Sequence, residues 1–193
     1  MKKIIGLTGP TGSGKSSAAL LAKNYDLKVV DCDKIARKAV KKGSKGLEDL
    51  VSAFSSGILK KDGALNRREL AKRAFSSKEN TELLNKTVFP HIKKLVMAEL
   101  KDESILLDAP TLFESGLNEI CDVTVAVLAD KEDRIRRIIE RDRLSYENAL
   151  IRVNAGKPDE YYKQRADYVV YNNADMEKYI KEMTYIFKKY TEE

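Results

Sequence analysis

The segment Gly9–Ser16 constrains the fold of this chain more than any other stretch, because it reads GPTGSGKS. It matches the pattern G-x-x-x-x-G-K-[ST] at every fixed position. It follows a short apolar run, KKIIGLT, and precedes a run of good helix formers that begins at Lys15. Glycines let backbone N–H groups turn toward phosphate oxygens, and a helix N-terminus adds its positive end. The segment therefore predicts a strand, a phosphate-binding loop and a helix.

The residue types in this loop indicate how a nucleoside triphosphate would bind. We expect Lys15 to reach the β- and γ-phosphates and the Ser16 hydroxyl to occupy a position on Mg²⁺. The residues expected to bind the nucleotide here are Gly9, Thr11, Gly12, Ser13, Gly14, Lys15, Ser16 and Ser17. A competing pattern, the dinucleotide motif G-x-G-x-x-G, begins at Gly12 but fails at Ser17, where glycine or alanine is required.

The rest of the chain alternates strand and helix patterns. Apolar runs rich in β-formers occur at KKIIGLT, LKVVDCD, ESILLDAP, CDVTVAVLAD and ADYVVYN. Helical patterns separate them, which predicts an α/β fold with a parallel sheet and helices on both faces. A chain of 193 residues suits one such domain. We expect a single domain over 1–193, with a helical insertion at about 62–100 and a helical lid at about 131–165.

Two helices have recognisable local signals. Asn66, followed three residues later by Glu69, is close to a capping box and predicts a helix start. The helix expected over about 78–100 contains Pro90, which lacks a backbone donor, so we expect a kink or a break near Val88–Phe89.

Composition narrows the class of protein. No apolar run approaches the ~18 residues of a membrane span, and no signal-peptide pattern is complete, so we expect a cytoplasmic protein with no membrane partner.

The chain has one histidine and two distant cysteines, which argues against a Cys/His zinc site and against a disulfide framework. We expect Cys32 to be a buried cysteine and not a nucleophile. A net charge of +6 suits substrates that carry several phosphates. The same positive charge would also suit binding of nucleic acid, which is the weaker alternative. We expect no nucleic-acid partner, because the lysines are dispersed and aromatic residues are only 7% of the chain.

Six segments together resemble the dephospho-CoA kinase family in order and spacing. They are GLTGPTGSGKSSAA, VVDCDKIARKAV, DGALNRRELAKRAF, LLDAPTLFESGL, RIRRIIERDR and ADYVVYNNA, and they extend over nearly the whole chain. The resemblance implies a P-loop kinase that uses ATP and Mg²⁺. Its small-molecule substrate would be dephospho-CoA, which it would phosphorylate on the ribose 3′-hydroxyl.

The resemblance also implies roles for particular side chains. Asp33 would accept the proton of the attacking hydroxyl, while Asp31 supports or caps the following helix. Arg137 and Arg141 would contact the nucleotide, with Arg141 and Lys15 supplying catalytic charge. Spacing alone places Arg134, Arg137 and Arg141 on one helix face, opposite the isoleucines. Without the resemblance, such a face would more often be exposed to solvent, with the arginines forming ion pairs with Asp133, Glu140 and Asp142.

Three further residues complete the predicted site. Asn66 and Arg67 correspond to the region in which the family contacts its acceptor. Asp108 follows an apolar run at the carboxyl end of a strand, where ligands gather in open α/β sheets, and it fits either a Mg²⁺ position or a structural role.

The chain departs from the family pattern at three places, which concern the acceptor and the lid. Phe89-Pro90 stands where a His-Pro pair is usual, and Gly156 stands near a position that is commonly glutamine. The segment Pro110-Thr111-Leu112-Phe113-Glu114 stands where the family often has P-L-L-F-E. His91, which follows Pro90, is expected to be a hydrogen-bonded helix residue and not a catalyst.

Two alternative functions stay open on the sequence alone. One is another small-molecule or nucleoside kinase, because many P-loop proteins share this fold. A GTPase is disfavoured because NKTV, at Asn85–Val88, departs from N-K-x-D at its last position. The other is a nucleotide-dependent binding protein that hydrolyses ATP slowly as a switch. The sequence makes no prediction of oligomeric state.

Overall fold

The computed structural model describes residues 2–100, 103–173 and 175–192. The strands are β1 (Ile4–Thr8), β2 (Lys28–Asp31), β3 (Ile105–Asp108), β4 (Val123–Leu128) and β5 (Tyr168–Tyr171). The helices are α1 (Lys15–Ala22), α2 (Cys32–Ala39), α3 (Lys45–Phe54), α4 (Arg67–Ala74), α5 (Lys78–Glu99), α6 (Lys131–Asp142), α7 (Tyr146–Asn154), α8 (Asp159–Lys163) and α9 (Met176–Thr191). None of these helices is both long enough and apolar enough to cross a membrane.

The five strands form one sheet in the order β2-β3-β1-β4-β5. Strand β1 is central and pairs in parallel with β3 and β4, and β4 pairs in parallel with β5. In this register Leu7 lies opposite Asp108 on one side and Val125 on the other. The carboxyl ends of β1 and β3 are therefore adjacent, and the loop that follows β1 begins at the edge where α/β folds bind ligands.

The sheet lies in the first of two compact units, which comprises Met1–Val30 and Asp102–Glu193. Strand β4 is buried along its whole length, as expected for a strand covered on both faces. Val125 and Val127 belong to a cluster that includes residues of α1 and α9, while Leu128 packs on the other face with Tyr162 of α8. The predicted α/β architecture with helices on both faces is confirmed.

Helices α6 and α7 of the same unit pack as a pair. Ile135 and Ile138 of α6 form a buried cluster with Ala149 and Val153 of α7. Ser145 caps α7 by accepting a hydrogen bond from the backbone N–H of Asn148 at 3.3 Å. This segment includes most of the predicted lid, whose role as a mobile element stays a prediction.

The second compact unit, Asp31–Lys101, is built from α2 to α5. Helix α5 packs against α2, α3 and α4. At one of these contacts His91 Nε2 lies 2.8 Å from Asp49 Oδ2 on α3, which confirms His91 as a hydrogen-bonded helix residue. The unit contains the whole segment 62–100 that was predicted to be an insertion, together with α2 and α3. The single-domain description stays a prediction.

Two local predictions need correction. Helix α5 is continuous from Lys78 to Glu99 with Pro90 inside it, so the alternative of a break near Val88–Phe89 is wrong, and a kink there stays a prediction. Proline removes one intrahelical hydrogen bond, but packing of α5 on three other helices maintains the remaining turns. The second strand ends at Asp31, two residues earlier than predicted, so Cys32 and Asp33 belong to the first turn of α2.

Candidate functional site

The loop between β1 and α1 has the backbone geometry of an anion-binding turn. Gly9, Gly12 and Gly14 all have positive φ, and Gly14, with φ 91°, directly precedes the first residue of α1. A Cβ on Gly14 would lie 2.0 Å from Nδ2 of Asn172, so the position also lacks space for a side chain. The N-terminus of α1, with its positive end of the helix dipole, therefore begins where the glycine-rich turn ends.

Lys15, Ser16 and Ser13 occupy three different environments in this loop. Lys15 Nζ donates to the Gly9 carbonyl at 2.7 Å, so its ammonium group lies over the loop. The Ser16 side chain, in the first turn of α1, is exposed. Ser13 is fully buried, so its hydroxyl is turned into the protein, and its backbone N–H donates to the Pro10 carbonyl at 3.2 Å; a contact of Ser13 with nucleotide stays a prediction.

The back of the loop is held by residues distant in sequence. Arg134 Nε donates to the Thr11 carbonyl at 3.0 Å, and Arg137 Nη1 donates to the carbonyls of Gly12 at 3.3 Å and Ser13 at 3.2 Å. Asn172, which is buried, donates from Nδ2 to the Ser13 carbonyl at 3.0 Å. These contacts fix three consecutive peptide groups of the loop.

Fixing the carbonyls also orients the N–H groups. In a trans peptide the C=O and the following N–H point in opposite directions, so holding the Thr11 and Ser13 carbonyls turns the N–H groups of Gly12 and Gly14 away from the arginines. Arg137 is itself fixed by Asn172, whose carbonyl accepts from Nη2 at 2.7 Å. The loop is therefore preorganised to present donors to an anion.

The three arginines of α6 do not share one environment, which corrects the expectation from spacing. Arg134 is buried beside Ile135, and Arg137 is half-buried under the loop. Only Arg141 matches the solvent-face alternative: it is 61% exposed and donates to Asp142 at 2.9 Å from both Nε and Nη2. The hydrogen bond from Arg141 lowers the pKa of Asp142 and raises that of Arg141. Arg152 also contacts Asp142.

Asp108 and Ser16 are the residues predicted to hold a metal ion. Asp108 is half-buried at the carboxyl end of β3, opposite Leu7 of β1, and the following N–H, from Ala109, donates to the Leu7 carbonyl at 3.0 Å. Carboxylate and hydroxyl oxygens suit Mg²⁺. The described part of the chain contains no group of three or more His, Cys, Asp or Glu arranged to hold a metal. In proteins Mg²⁺ usually keeps several waters and is held by one or two protein groups together with phosphates.

Asp31 and Asp33 have different environments in the second unit. Asp31 is the N-cap of α2, and its Oδ1 accepts from the Lys34 N–H at 3.0 Å. This confirms the capping alternative for Asp31. Asp33 is exposed in the first turn of α2 and lines a cavity of the same unit. Cys32 between them is buried, as expected.

The cavity in the second unit has a volume of about 460 Å³ and is formed by α2, α3, α4, α5 and the segment just before α4. Its polar lining residues are Asp33, Arg37, Arg67 and Asn85. Its apolar lining residues are Ala36, Val40, Leu50, Leu65, Leu70, Ala71, Phe75, Leu84, Val88 and Phe89. Such a cavity suits a ligand that combines an apolar portion with anionic groups.

Asn66 and Arg67, the predicted acceptor contacts, differ in what they contact. Arg67 lines the cavity, whereas the Asn66 side chain caps α4, with Oδ1 accepting from the Glu69 N–H at 3.2 Å. The predicted helix start at Asn66 is thereby confirmed, and a contact of Asn66 with substrate stays a prediction. Arg37 was not predicted, although its position four residues after Asp33 on one helix was a usable signal.

Comparisons with known proteins identify the family. Residues 3–178 match the family model described as dephospho-CoA kinase. A dephospho-CoA kinase of Listeria innocua is 35% identical over 98% of both chains. A crystal structure of a Thermus thermophilus protein has a TM-score of 0.81 at 33% identity, covering 97% of each chain. The dephospho-CoA kinase of Campylobacter jejuni has a TM-score of 0.70 at 26% identity, covering 100% of this chain and 98% of that one.

Proposed function

Because the chain belongs to the dephospho-CoA kinase family, we propose that it transfers the γ-phosphate of ATP to the ribose 3′-hydroxyl of dephospho-CoA, giving CoA and ADP. The observation that carries this proposal is the phosphate loop, whose glycine turn, Lys15 and supporting arginines are all in place in a chain that the family model covers over residues 3–178. Two free cysteines agree with a cytoplasmic location for this reaction.

We assign binding of the triphosphate to the loop and the start of α1. The preorganised N–H groups would donate to the phosphate oxygens, and Lys15 would leave the Gly9 carbonyl to contact the β- and γ-phosphates. This exchange replaces a neutral acceptor with a charged one, so it strengthens the hydrogen bond of the ammonium group.

Positive charge near the transferred group would come from two further sources. Arg141 is proposed to contact the nucleotide, which requires it to release Asp142, its partner at 2.9 Å. Ser16 and Asp108 are proposed to hold Mg²⁺, which when bound would neutralise charge on the phosphate oxygens. The oxygen chemistry and strand-end position of these two side chains support the assignment.

The acceptor is assigned to the cavity of the second unit. Arg37 and Arg67 would contact anionic groups of dephospho-CoA, and the apolar wall would contact its less polar arm. Asp33 would accept the hydroxyl proton as the oxygen attacks the γ-phosphorus. The exposure of its carboxylate in this cavity, and the separate use of Asp31 as a helix cap, support Asp33 as the base.

The proposal is tested by incubating the protein with ATP, Mg²⁺ and dephospho-CoA and following CoA by mass spectrometry. We expect CoA from the wild type, with its rate falling by at least about 100-fold in Asp33→Asn and in Lys15→Ala. Asp31→Asn, which keeps a good capping side chain, is the matched control and should retain activity. Formation of ADP without CoA would refute the acceptor assignment, and full activity of Asp33→Asn would refute its role as base.

A further inference from the structure

Arg134 is buried at the back of the phosphate loop with its charge only partly compensated. Its side chain is 7% exposed. Nε donates to the Thr11 carbonyl at 3.0 Å, and Nη1 lies 3.7 Å from Asp159 Oδ1. Nη2 is buried and has no hydrogen-bond partner among residues 2–100, 103–173 and 175–192. A buried cation in such a setting depends on every partner that it has.

The guanidinium group thus lies between the loop and the segment that leads into α8. Asp159, which lies near Nη1 while Thr11 accepts from Nε, is the first residue of α8. A Cβ on Gly156 would lie 3.9 Å from Nη2. The nitrogen without a hydrogen-bond partner therefore lies next to residues 155–158, which connect α7 to α8. Burial lowers the pKa of Arg134 and the charge of Asp159 opposes this shift, which makes Asp159 a stabilising partner of the cation.

The backbone of Arg134 restricts the same part of the loop. A Cβ on Gly12 would lie 2.7 Å from the Arg134 carbonyl oxygen, so α6 and the loop are in direct contact at this point. The side chain of Arg134 therefore holds the Thr11 carbonyl, and its backbone carbonyl leaves no room for a side chain at Gly12. A shift of the guanidinium group would turn the Thr11–Gly12 peptide and the N–H of Gly12 with it.

We propose that Arg134 is a positioning residue that couples the first turn of α8 to the phosphate loop, so that the Asp159–Arg134 ion pair sets the affinity of the loop for nucleotide. The inference rests on the proposed binding of ATP at this loop. Arg134 acts here through the Thr11–Gly12 peptide, and Asp159 acts through Arg134. Removing either partner should weaken nucleotide binding without changing the acceptor or the chemical step.

The test is ADP binding by isothermal titration calorimetry, together with KM and kcat for ATP. Arg134→Gln should weaken ADP binding about tenfold, the cost of re-ordering one freed backbone residue of the loop on binding, and Asp159→Asn about threefold. Arg134→Lys keeps the charge but cannot reach both partners, so it should lie between wild type and Arg134→Gln. KM for ATP should rise in each variant with kcat nearly unchanged, a split that a general loss of folded protein would not produce.

Arg136→Gln is the matched control, because Arg136 is on the same helix, is 62% exposed and pairs with Asp133. The double variant Arg134→Gln/Asp159→Asn should bind ADP no more weakly than Arg134→Gln alone. Additive losses in the double variant, or an Arg134→Gln that binds ADP as well as Arg136→Gln, would overturn the proposal. ADP binding needs no acceptor, so a failure of the proposed CoA formation would be seen separately.

Discussion

At Gly14 the backbone has a φ of 91° and the Nδ2 atom of Asn172 lies where a side chain would begin. Two costs would therefore add on substitution: strain in the left-handed region and a clash with a buried amide. The same amide holds the Ser13 carbonyl, so a displaced Asn172 would also release the loop. The residue has this importance without contributing a functional group.

We expect Gly14→Ala to reduce ADP binding by at least about 100-fold and to lower the free energy of unfolding by more than the ~1–2 kcal/mol of backbone strain alone. Gly43→Ala provides the matched control, because Gly43 has a similar φ of 80° and, apart from its two chain neighbours, no described residue has an atom within 4 Å of the position that a methyl group would occupy. Calorimetric titration and urea unfolding measure the two effects. Equal destabilisation by both substitutions would show that the Asn172 contact adds nothing.

Residues of the site differ in how well the sequence predicts them. The positions of Lys15 and Ser16 at the phosphate loop are predictable, because the motif places both directly after its last glycine. Asn172 and Arg134 are not, since they contact loop residues 159 and 123 positions away, and a local pattern contains no such pairing. The charge run around Arg134 is typical of a solvent face, and only packing of α6 on the loop distinguishes the buried arginine from exposed Arg141.

At the scale of elements, the start of α2 separates two neighbouring carboxylates. Asp31 ends β2 and caps α2, while Asp33 lies in the first turn of that helix. The strand pattern of VVDCD extends through both residues, so the sequence predicts a longer strand than the structure has. The helix begins early because the Asp31 carboxylate accepts the N–H of Lys34 and stabilises the first turn.

Asp31→Ala is therefore expected to lower the free energy of unfolding by about 1 kcal/mol, because it leaves a helix N–H without its acceptor. Asp31→Asn should lower the free energy of unfolding by only a few tenths of that ~1 kcal/mol, since asparagine is an equally good N-cap. Urea unfolding at neutral pH compares the three proteins. A loss of equal size in both variants would point to the charge of Asp31 and not to its capping bond.

In helix α5, unlike at the start of α2, a local signal does not decide where the element ends. Its apolar spacing predicts one helix from about 78, and its proline predicts an interruption. The spacing prevails, because the helix gains more from packing on α2, α3 and α4 than it loses at Pro90. Helix length is thus a tertiary property here, and propensity at one position does not determine it.

For the whole molecule, the proposed functions divide between two compact units. The phosphate loop and its supporting residues belong to Met1–Val30 and Asp102–Glu193, and the cavity with Asp33 belongs to Asp31–Lys101. Alternation of strands and helices predicts the class of fold, but it does not give the strand order β2-β3-β1-β4-β5, which depends on long-range pairing.

Each ligand should therefore slow amide hydrogen exchange in a different set of peptides. ADP with Mg²⁺ is expected to protect Gly9–Ser17 and α6, and dephospho-CoA to protect α2, α4 and α5, because bound ligand suppresses local opening. Mass spectrometry of exchange with each ligand alone measures this. Lys15→Ala is the control, since it should lose the protection by ADP and keep that by dephospho-CoA. Protection of the same peptides by both ligands would contradict the division.

The support of the phosphate loop by distant residues affects how such a loop can be transferred between proteins. Its eight-residue motif is contiguous, but its carbonyls are held by α6 and by the residue after β5. Grafted onto another scaffold, the motif alone would retain its glycines and lysine and lose the contacts that orient its peptides. The portable part is the loop together with α6 and the end of β5, and a change in any of them alters the others.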